Sequence, residues 1–230
     1  MSPPTLLVVA KAPVAGQAKT RLAANLGYEE AARLAAACLL DTIEVVTSLG
    51  CPVVVAMTGD LRQAQRGEEI EAALRPHRVI PQRGDDLAAR LVAAHADADK
   101  GSGVVQVGMD TPHLEADVLR AAADALSDHD AALGLAEDGG WWVLAVRTSE
   151  LARCLADVPM STDDTGAATE TALVSAGATI ARVAPMRDVD TWEDALQVAR
   201  QAPDTRFATE MQRVVAASGR DAIVRGGSPR

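Results

Sequence analysis

The sequence predicts an α/β protein: a three-layer α/β/α sandwich around a mostly parallel, mixed sheet. Three observations predict it. Short apolar runs alternate with longer Ala- and Leu-rich runs along the chain, and that alternation builds a parallel sheet covered on both faces by helices. Hydrophobic residues make up 48% of the 230 residues but aromatics only 2%, so the core must be assembled from Ala, Val and Leu; Ala costs least in a helix. Polar residues follow several of the apolar runs, and open α/β sheets bind ligands beyond the carboxyl ends of their strands.

The first strand is Thr5–Ala10, an apolar run that Pro13 and Gly16 then break. Lys11 to Leu22 reads as a loop carrying three cations, Lys11, Lys19 and Arg21. There follow helix Glu29–Ser48, strand Pro52–Met57, helix Gly67–Leu74, strand His77–Ile80, helix Asp85–Ala98, strand Gly103–Val107 and helix Leu114–Leu126. Strands Ala131–Leu135 and Trp141–Val146 flank Asp138-Gly139-Gly140, a turn signal that allows unusual backbone dihedrals. Helix Thr165–Ala176, strand Thr179–Val183 and helix Trp192–Ala199 come next. Finally, Phe207, Met211, Val214 and Val215 fall at helical spacing within Thr205–Ser218, predicting an amphipathic helix that packs on the body or on a partner. No repeat and no linker splits the chain. One domain is expected over residues 1–203, with a C-terminal helix and flexible tail over 204–230, the tail rich in Gly, Ser and Arg from Gly219 onward.

The formal net charge is −10, which argues against a nucleic-acid partner and makes the local cluster of cations stand out. Three cysteines, at 38, 51 and 154, form no CxxC pair; neither a disulfide framework nor a Cys-type zinc site is expected, and reducing surroundings fit best. Met1-Ser2-Pro3-Pro4 has no basic n-region and the apolar run after it stops at Lys11. No run approaches the roughly 20 apolar residues of a membrane span. A cytoplasmic protein with no membrane partner is expected; the oligomeric state is open.

Five constellations carry candidate chemistry. A positive loop after the first strand is suited to phosphates, and equally to a solvated turn. Gly108-Met109-Asp110-Thr111-Pro112 delivers a carboxylate at a strand end, where it suits a hard divalent cation with positions left for phosphate; a turn cap is the competing reading. Arg187-Asp188-Val189-Asp190-Thr191-Trp192 puts Asp188 and Asp190 on one side of an extended segment, with Thr191 as a helix cap. Asp190 then serves as a second ligand beside Asp110. Glu137-Asp138-Gly139-Gly140-Trp141-Trp142 is accounted for as a hairpin turn, yet two adjacent Trp among five aromatics are not filler. One is expected to face the core and the other outward, onto a ligand. Ser161, Thr162 and Asp164 precede a helix and either cap it or bind an acceptor or phosphate. There is no GxGxxG, GxxxxGK[ST], GxSxG or HExxH, and the four His have no ligand spacing.

Taken in order, Lys11-Ala12-Pro13…Gly16…Lys19-Thr20-Arg21-Leu22, Gly108-Met109-Asp110-Thr111-Pro112, Asp138-Gly139-Gly140-Trp141 and Asp188-Val189-Asp190-Thr191 resemble the DUF2064 family. That family is often labelled a GT-A type glycosyltransferase and is related to the molybdenum-cofactor and phospholactate nucleotidyltransferases. The resemblance spans roughly residues 5 to 200. It implies a nucleotide-diphospho-sugar transferase (GT-A) like fold with a nucleotide over the first strand, contacted by Ala10, Lys11, Gly16, Lys19, Arg21, Gln82, Asp86 and Arg90. It implies Mg2+ or Mn2+ on Asp110 and Asp190, and substrate contacts from Asp138, Gly139, Gly140, Trp141, Ser161 and Thr162. The family pattern Gln-x-x-Gly-Asp-Leu-Gly-x-Arg is met at Gln82, Asp86, Leu87 and Arg90, but Asp85 and Ala88 replace its glycines. Trp141 and Trp142 stand where the family often has Tyr or Phe.

The expected reaction is metal-dependent transfer from a nucleotide donor to a small-molecule acceptor. In the first reading an acceptor phosphate or carboxylate attacks the α-phosphorus of an NTP; Lys19 and Arg21 stabilise the pyrophosphate, Lys11 the α-phosphate, and Asp110 aligns the cation. The alternatives are a GT-A glycosyltransferase with a nucleotide-sugar donor and a nucleotide-binding module without catalysis.

Overall fold

Seven strands form one sheet in the order β3-β2-β1-β4-β6-β5-β7. The structure, a computed structural model, describes residues 2–217; the flexible tail expected from Gly219 lies outside the described residues. β1 (Thr5–Lys11) sits at the centre because its first four residues are buried on both faces. It runs parallel to β2 (Val53–Thr58) on one side and β4 (Val104–Val107) on the other, and β2 pairs in parallel with β3 (Arg78–Pro81). β6 (Trp141–Val146) is antiparallel to both β4 and β5 (Ala131–Ala136), and β7 (Ile180–Met186) closes the edge parallel to β5. The sheet is therefore the mostly parallel, mixed one expected, and the Asp-Gly-Gly turn is the β5–β6 hairpin.

Alternation along the strands splits the core into two layers. Leu6, Val8, Val55, Val105 and Val107 pack with Leu39, Ile43, Ile70 and Leu119, from α2 (Tyr28–Ser48), α3 (Gly67–Leu74) and α5 (Ala116–Asp124). Leu7, Val54, Ile80 and Leu144 pack with Leu91, Ala94 and Leu173, from α4 (Leu87–Ala98) and α6 (Thr165–Ser175). Ala152 and Leu155 of a 3-10 turn at Leu151–Asp157 join this second layer. The sequence pattern had no expectation for that turn; at seven residues it is too short to show a periodicity.

One element departs from expectation near the candidate site. Thr20–Leu26 is a short helix, α1, rather than loop. Its reason is tertiary: Leu22 and Ala23 bury against Leu34 and Cys38 of α2, which a seven-residue peptide in isolation could not do. The same cluster takes in Trp192 and Val198 of α7 (Trp192–Gln201) and Phe207, Met211 and Val214 of α8 (Arg206–Ala217). The apolar stripe of α8 is thus spent on the body of the same chain.

Two polar devices fix the helix ends in this region. Thr191 and Asp194 form a reciprocal capping box at the start of α7. Asp41, buried in α2, accepts from the main-chain N–H of Arg206 at 3.1 Å and of Phe207 at 2.9 Å, so a side chain from another helix caps α8. Burial raises the Asp41 pKa, against the pull of those N–H donors and of the Arg206 guanidinium. In β5, Gly134 is dictated by packing. A Cβ there would lie 2.5 Å from Nε1 of Trp142; Trp142 packs in the first core layer and Trp141 against the second, the alternation of neighbouring strand residues. Among the described residues no helix is long and apolar enough to cross a membrane.

Asp41→Ala is expected to lower stability by about 2 kcal/mol, since it leaves two N–H groups at the α8 N-terminus without their acceptor and the Arg206 guanidinium with Glu44 but not Asp41. Urea unfolding followed by circular dichroism measures it; an unchanged midpoint would show that α8 is held by its apolar face alone.

Candidate functional site

The chain ends of β1 and β4 lie side by side in the parallel part of the sheet, so the residues that follow them open onto the same edge. Lys11 is joined to the β4 end by its main-chain N–H, which donates to Met109 Sδ at 3.3 Å. Asp110 follows directly, and its carbonyl accepts the N–H of Val189 at 3.0 Å. The 187–191 segment is thereby strapped beside the β4 end, with Val189 fully buried and its acidic neighbours turned the other way.

Lys19 locks this junction. Its backbone is left-handed, with φ at 50°, a conformation few non-glycine residues adopt. Its side chain is 8% exposed, with Nζ 3.0 Å from Asp110 Oδ1 and donating to the carbonyl of Val189. Burial alone lowers the pKa of such an ammonium, but Asp110, with help from Cys38 and Asp190, more than offsets it and the pKa is raised. Lys19 is charged throughout the physiological range. Arg21 is largely exposed and donates from Nη1 to Asp190 Oδ2 at 2.5 Å.

Lys11, Arg21, Met109, Asp110 and Asp190 border a cleft of about 620 Å³. Its walls include the charged Lys11, Arg21, Asp110, Asp138, Asp188 and Asp190 and the uncharged Val9, Leu91, Gln106, Trp141 and Met160. A smaller hollow of about 260 Å³ adjoins it, sharing Lys11, Arg21, Met109, Asp110 and Asp190 and adding Lys19. A larger hollow, about 720 Å³ between Pro4, Cys51, Arg120 and Arg147, lies at the opposite end of the strands and gathers none of the candidate residues.

Three carboxylates of the cleft, Asp110, Asp138 and Asp188, interact. Burial and then the neighbouring Asp138 push the Asp188 carboxyl up to about 6, with Asp110 adding to the rise and Lys19 opposing it. Asp190, expected to share a cation with Asp110, carries the Arg21 ion pair, and Asp188 is the carboxylate whose pKa burial and its acidic neighbours raise. Among the described residues no group of three or more His, Cys, Asp or Glu is arranged to hold a metal ion; the carboxylates come as a sparse set.

Of the other expected residues, Ala10, Gln82, Arg90, Gly140, Ser161 and Thr162 line the cleft. Gln82 gives both amide hydrogens to main-chain carbonyls, of Ala10 at 2.8 Å and Ala56 at 2.9 Å, so its oxygen is the atom left for a ligand. Three expected residues are not on the cleft wall. Asp86 spends its carboxylate capping α4 through the N–H of Ala89 at 2.8 Å. Gly16 belongs to the loop behind Lys19, with φ at 77°. Gly139 packs on the main chain of Asp163, where a Cβ would sit 1.9 Å from its carbonyl oxygen. The two Trp divide as expected: Trp142 is core, its indole N–H donating to the Ala184 carbonyl at 3.0 Å, and Trp141 borders the cleft.

A family model for an uncharacterized protein conserved in bacteria, DUF2064, matches residues 40–162. The chain belongs to the DUF2064 family. No curated protein matches the sequence. Among solved structures, it resembles a protein of Desulfovibrio desulfuricans G20 provisionally named a nucleotide-diphospho-sugar transferase, at 25% identity and a TM-score of 0.83, with 98% of each chain covered. A Mycobacterium tuberculosis H37Rv protein crystallised with manganese matches at 22% identity and a TM-score of 0.52, over 86% of this chain and 98% of that one. A nucleotidyl transferase of Methanothermobacter thermautotrophicus matches at 20% and 0.58, over 86% and 96%. The last two share the fold alone. The nucleotide-diphospho-sugar transferase-like architecture expected from the sequence is the one observed.

In this DUF2064 chain the glycines expected at 85 and 88 are replaced without loss of the tight turn. Gly84, at φ 138°, supplies it: a Cβ there would fall 2.8 Å from the Arg90 amide nitrogen. Ala88 is buried in the first turn of α4. Sequence reasoning also passed over Gln106. It lies on β4 with Oε1 2.7 Å from Nε2 of His95, a fully buried His whose pKa is driven down to about 4 by burial. No local pattern marks this pair; it exists because α4 packs across β4.

The Asp188 shift has a sign that can be checked. The folded chain holds the Asp188 proton up to about pH 6, while an unfolded Asp releases it near 3.9. Rising pH through that window therefore costs stability, and the cost is complete above it. Asp188→Asn is expected to melt at a higher temperature than the parent at pH 7.5 in EDTA, with the difference gone below about pH 4. Equal melting temperatures at pH 7.5 would mean that Asp188 does not feel its acidic neighbours.

Proposed function

We propose that this chain transfers a nucleotidyl group: an acceptor phosphate or carboxylate attacks the α-phosphorus of an NTP in the presence of Mg2+ or Mn2+. The observation that carries the reading is the convergence of Lys11, Lys19 and Arg21 with Asp110, Asp138, Asp188 and Asp190 around two adjoining hollows at one sheet edge. The oxygen-only donor set fits a hard divalent cation, and the Asp110 carboxylate with the Val189 carbonyl already accepts a cation, the Lys19 ammonium. Asp110 and Asp188 are the carboxylates that would hold the metal, with Asp190 held aside by Arg21. When bound, such an ion neutralises polyphosphate charge and orients the reacting phosphate.

The residues of the chain supply the rest. Lys11 has no carboxylate partner among the described residues and borders both hollows, where it attracts the α-phosphate. Arg21, pivoting from Asp190 on an exposed side chain, reaches the departing pyrophosphate. The new bond is acceptor oxygen to α-phosphorus; the α–β bridging P–O bond breaks with its electron pair on pyrophosphate. A phosphate or carboxylate nucleophile carries no proton to remove, so no general base is required and alignment with charge neutralisation suffices. Trp141, Ser161 and Thr162 also line the cleft, and the acceptor is assigned to them.

A nucleotide-sugar donor is the second reading. Lys19 and Arg21 are both paired with carboxylates, which leaves fewer unpaired cations than a triphosphate would use, and the D. desulfuricans protein bears a nucleotide-diphospho-sugar transferase name. The two readings separate by product. Incubation with the four NTPs and with UDP- and GDP-sugars, each with Mg2+ and an acceptor panel, is expected to release pyrophosphate from an NTP; free nucleoside diphosphate from a sugar donor would establish the second reading, and binding without turnover a non-catalytic module.

Asp110→Asn is expected to abolish the Mg2+-dependent part of nucleotide stabilisation in a thermal-shift titration, because ligands that bind only the folded state raise its melting temperature. Asn is chosen over Ala because it still accepts a hydrogen bond from the buried Lys19 ammonium. Mg2+-nucleotide binding equal to that of the parent would remove Asp110 from the cation site.

A further inference from the structure

The position of Lys19 goes beyond the phosphate-binding role that a cation in this loop suggests. Its ammonium does not extend into the larger cleft. It is withdrawn to 8% exposure and bound by oxygen atoms from two segments, Asp110 Oδ1 at 3.0 Å and the Val189 carbonyl. The two segments are already linked by the Val189 N–H to Asp110 carbonyl hydrogen bond. An acidic side chain with a main-chain carbonyl is the donor set of a hard cation, and here an amine of the chain fills it. The backbone that delivers this amine is left-handed at Lys19, a cost that persists only where the surrounding contacts over-determine it.

We infer that Lys19 is a positioning residue that acts as the resident cation of the carboxylate cluster, holding Asp110 against the 187–191 segment until a divalent ion displaces it. The inference rests on the reading of Asp110 as a cation ligand. Two consequences distinguish it from a fixed strut or a fixed phosphate contact. Divalent ion and ammonium compete for Asp110, so removing the ammonium tightens divalent binding. Binding of the divalent ion in turn releases the ammonium, which becomes accessible for the phosphates.

The chain has three lysines, Lys11, Lys19 and Lys100, of which Lys11 and Lys100 are exposed. This makes release directly measurable on the unaltered protein. Reductive methylation with formaldehyde, quantified residue by residue by mass spectrometry, is expected to label Lys19 at least about tenfold more slowly than Lys100 in EDTA, as for a largely desolvated ammonium in a charge-assisted pair. Saturating Mn2+ alone is expected to raise the Lys19 to Lys100 ratio severalfold. A ratio unchanged by Mn2+, when Mn2+ binding is demonstrated in the same sample, overturns the inference.

The second arm is Mn2+ affinity by electron paramagnetic resonance on the parent and on Lys19→Met, which keeps the length of the side chain and removes its charge. The variant is expected to bind Mn2+ at least about tenfold more tightly, as follows from deleting a unit positive charge within a few ångströms of the ion. It is also expected to lose stability in EDTA and regain it with Mn2+. Equal or weaker Mn2+ binding by the variant overturns the inference. A failure of the metal-dependent reading shows differently: neither protein binds Mn2+, with or without nucleotide, and then both proposals fall.

Discussion

The contact on which the candidate site depends is the ion pair between the buried Lys19 ammonium and the half-exposed Asp110 carboxylate. It joins segments that are far apart in sequence: the loop after β1, the end of β4 and the stretch before α7, the last through the Val189 carbonyl. Removing the Asp110 carboxylate leaves the Lys19 ammonium in a poorly solvated place, which is costly. The pair thus couples local order at the site to overall folding. It also requires the unusual backbone at Lys19 and the short helix that starts directly after it, because only with Leu22 and Ala23 buried is the loop drawn down far enough for the ammonium to reach.

The sheet arranges the remaining parts. β1 and β4 are parallel neighbours, so Lys11 and Asp110 emerge at the same edge. β6 runs against them, and this reversal brings the β5–β6 hairpin, with Asp138 and Gly140, to that edge as well. A wholly parallel sheet would have needed a crossover helix at this place and would have set the turn elsewhere. Gly139 and Gly166 then let the hairpin and the start of α6 touch through their main chains, which closes the cleft on the Trp141 side.

Charge is distributed against stability here. Asp110, Asp138 and Asp188 are gathered with one buried ammonium among them, and the Asp188 pKa is raised by burial first and then by repulsion from Asp138. Strongly perturbed titratable groups concentrated in a cleft are a mark of function rather than of structural economy. The contrast with His95 is instructive. Its pKa is displaced just as far by burial, but it is paired with Gln106 within the core and serves to orient that amide.

The sequence by itself determined the fold class, the seven strands, the main helices and the residue types of the site. It did so because strand and helix periodicities, turn glycines and strand-end polar residues are local signals that survive without knowledge of neighbours. The capping of α7 by Thr191 and the division of labour between Trp141 and Trp142 were legible for the same reason. Only the tertiary structure decided that Arg21 pairs with Asp190, that Asp41 caps α8 and that Gln106 pairs with His95. Each of these is a choice among chemically equivalent partners, and the choice is made by distance and burial across segments up to 169 residues apart. No property of a residue's own stretch of chain encodes it.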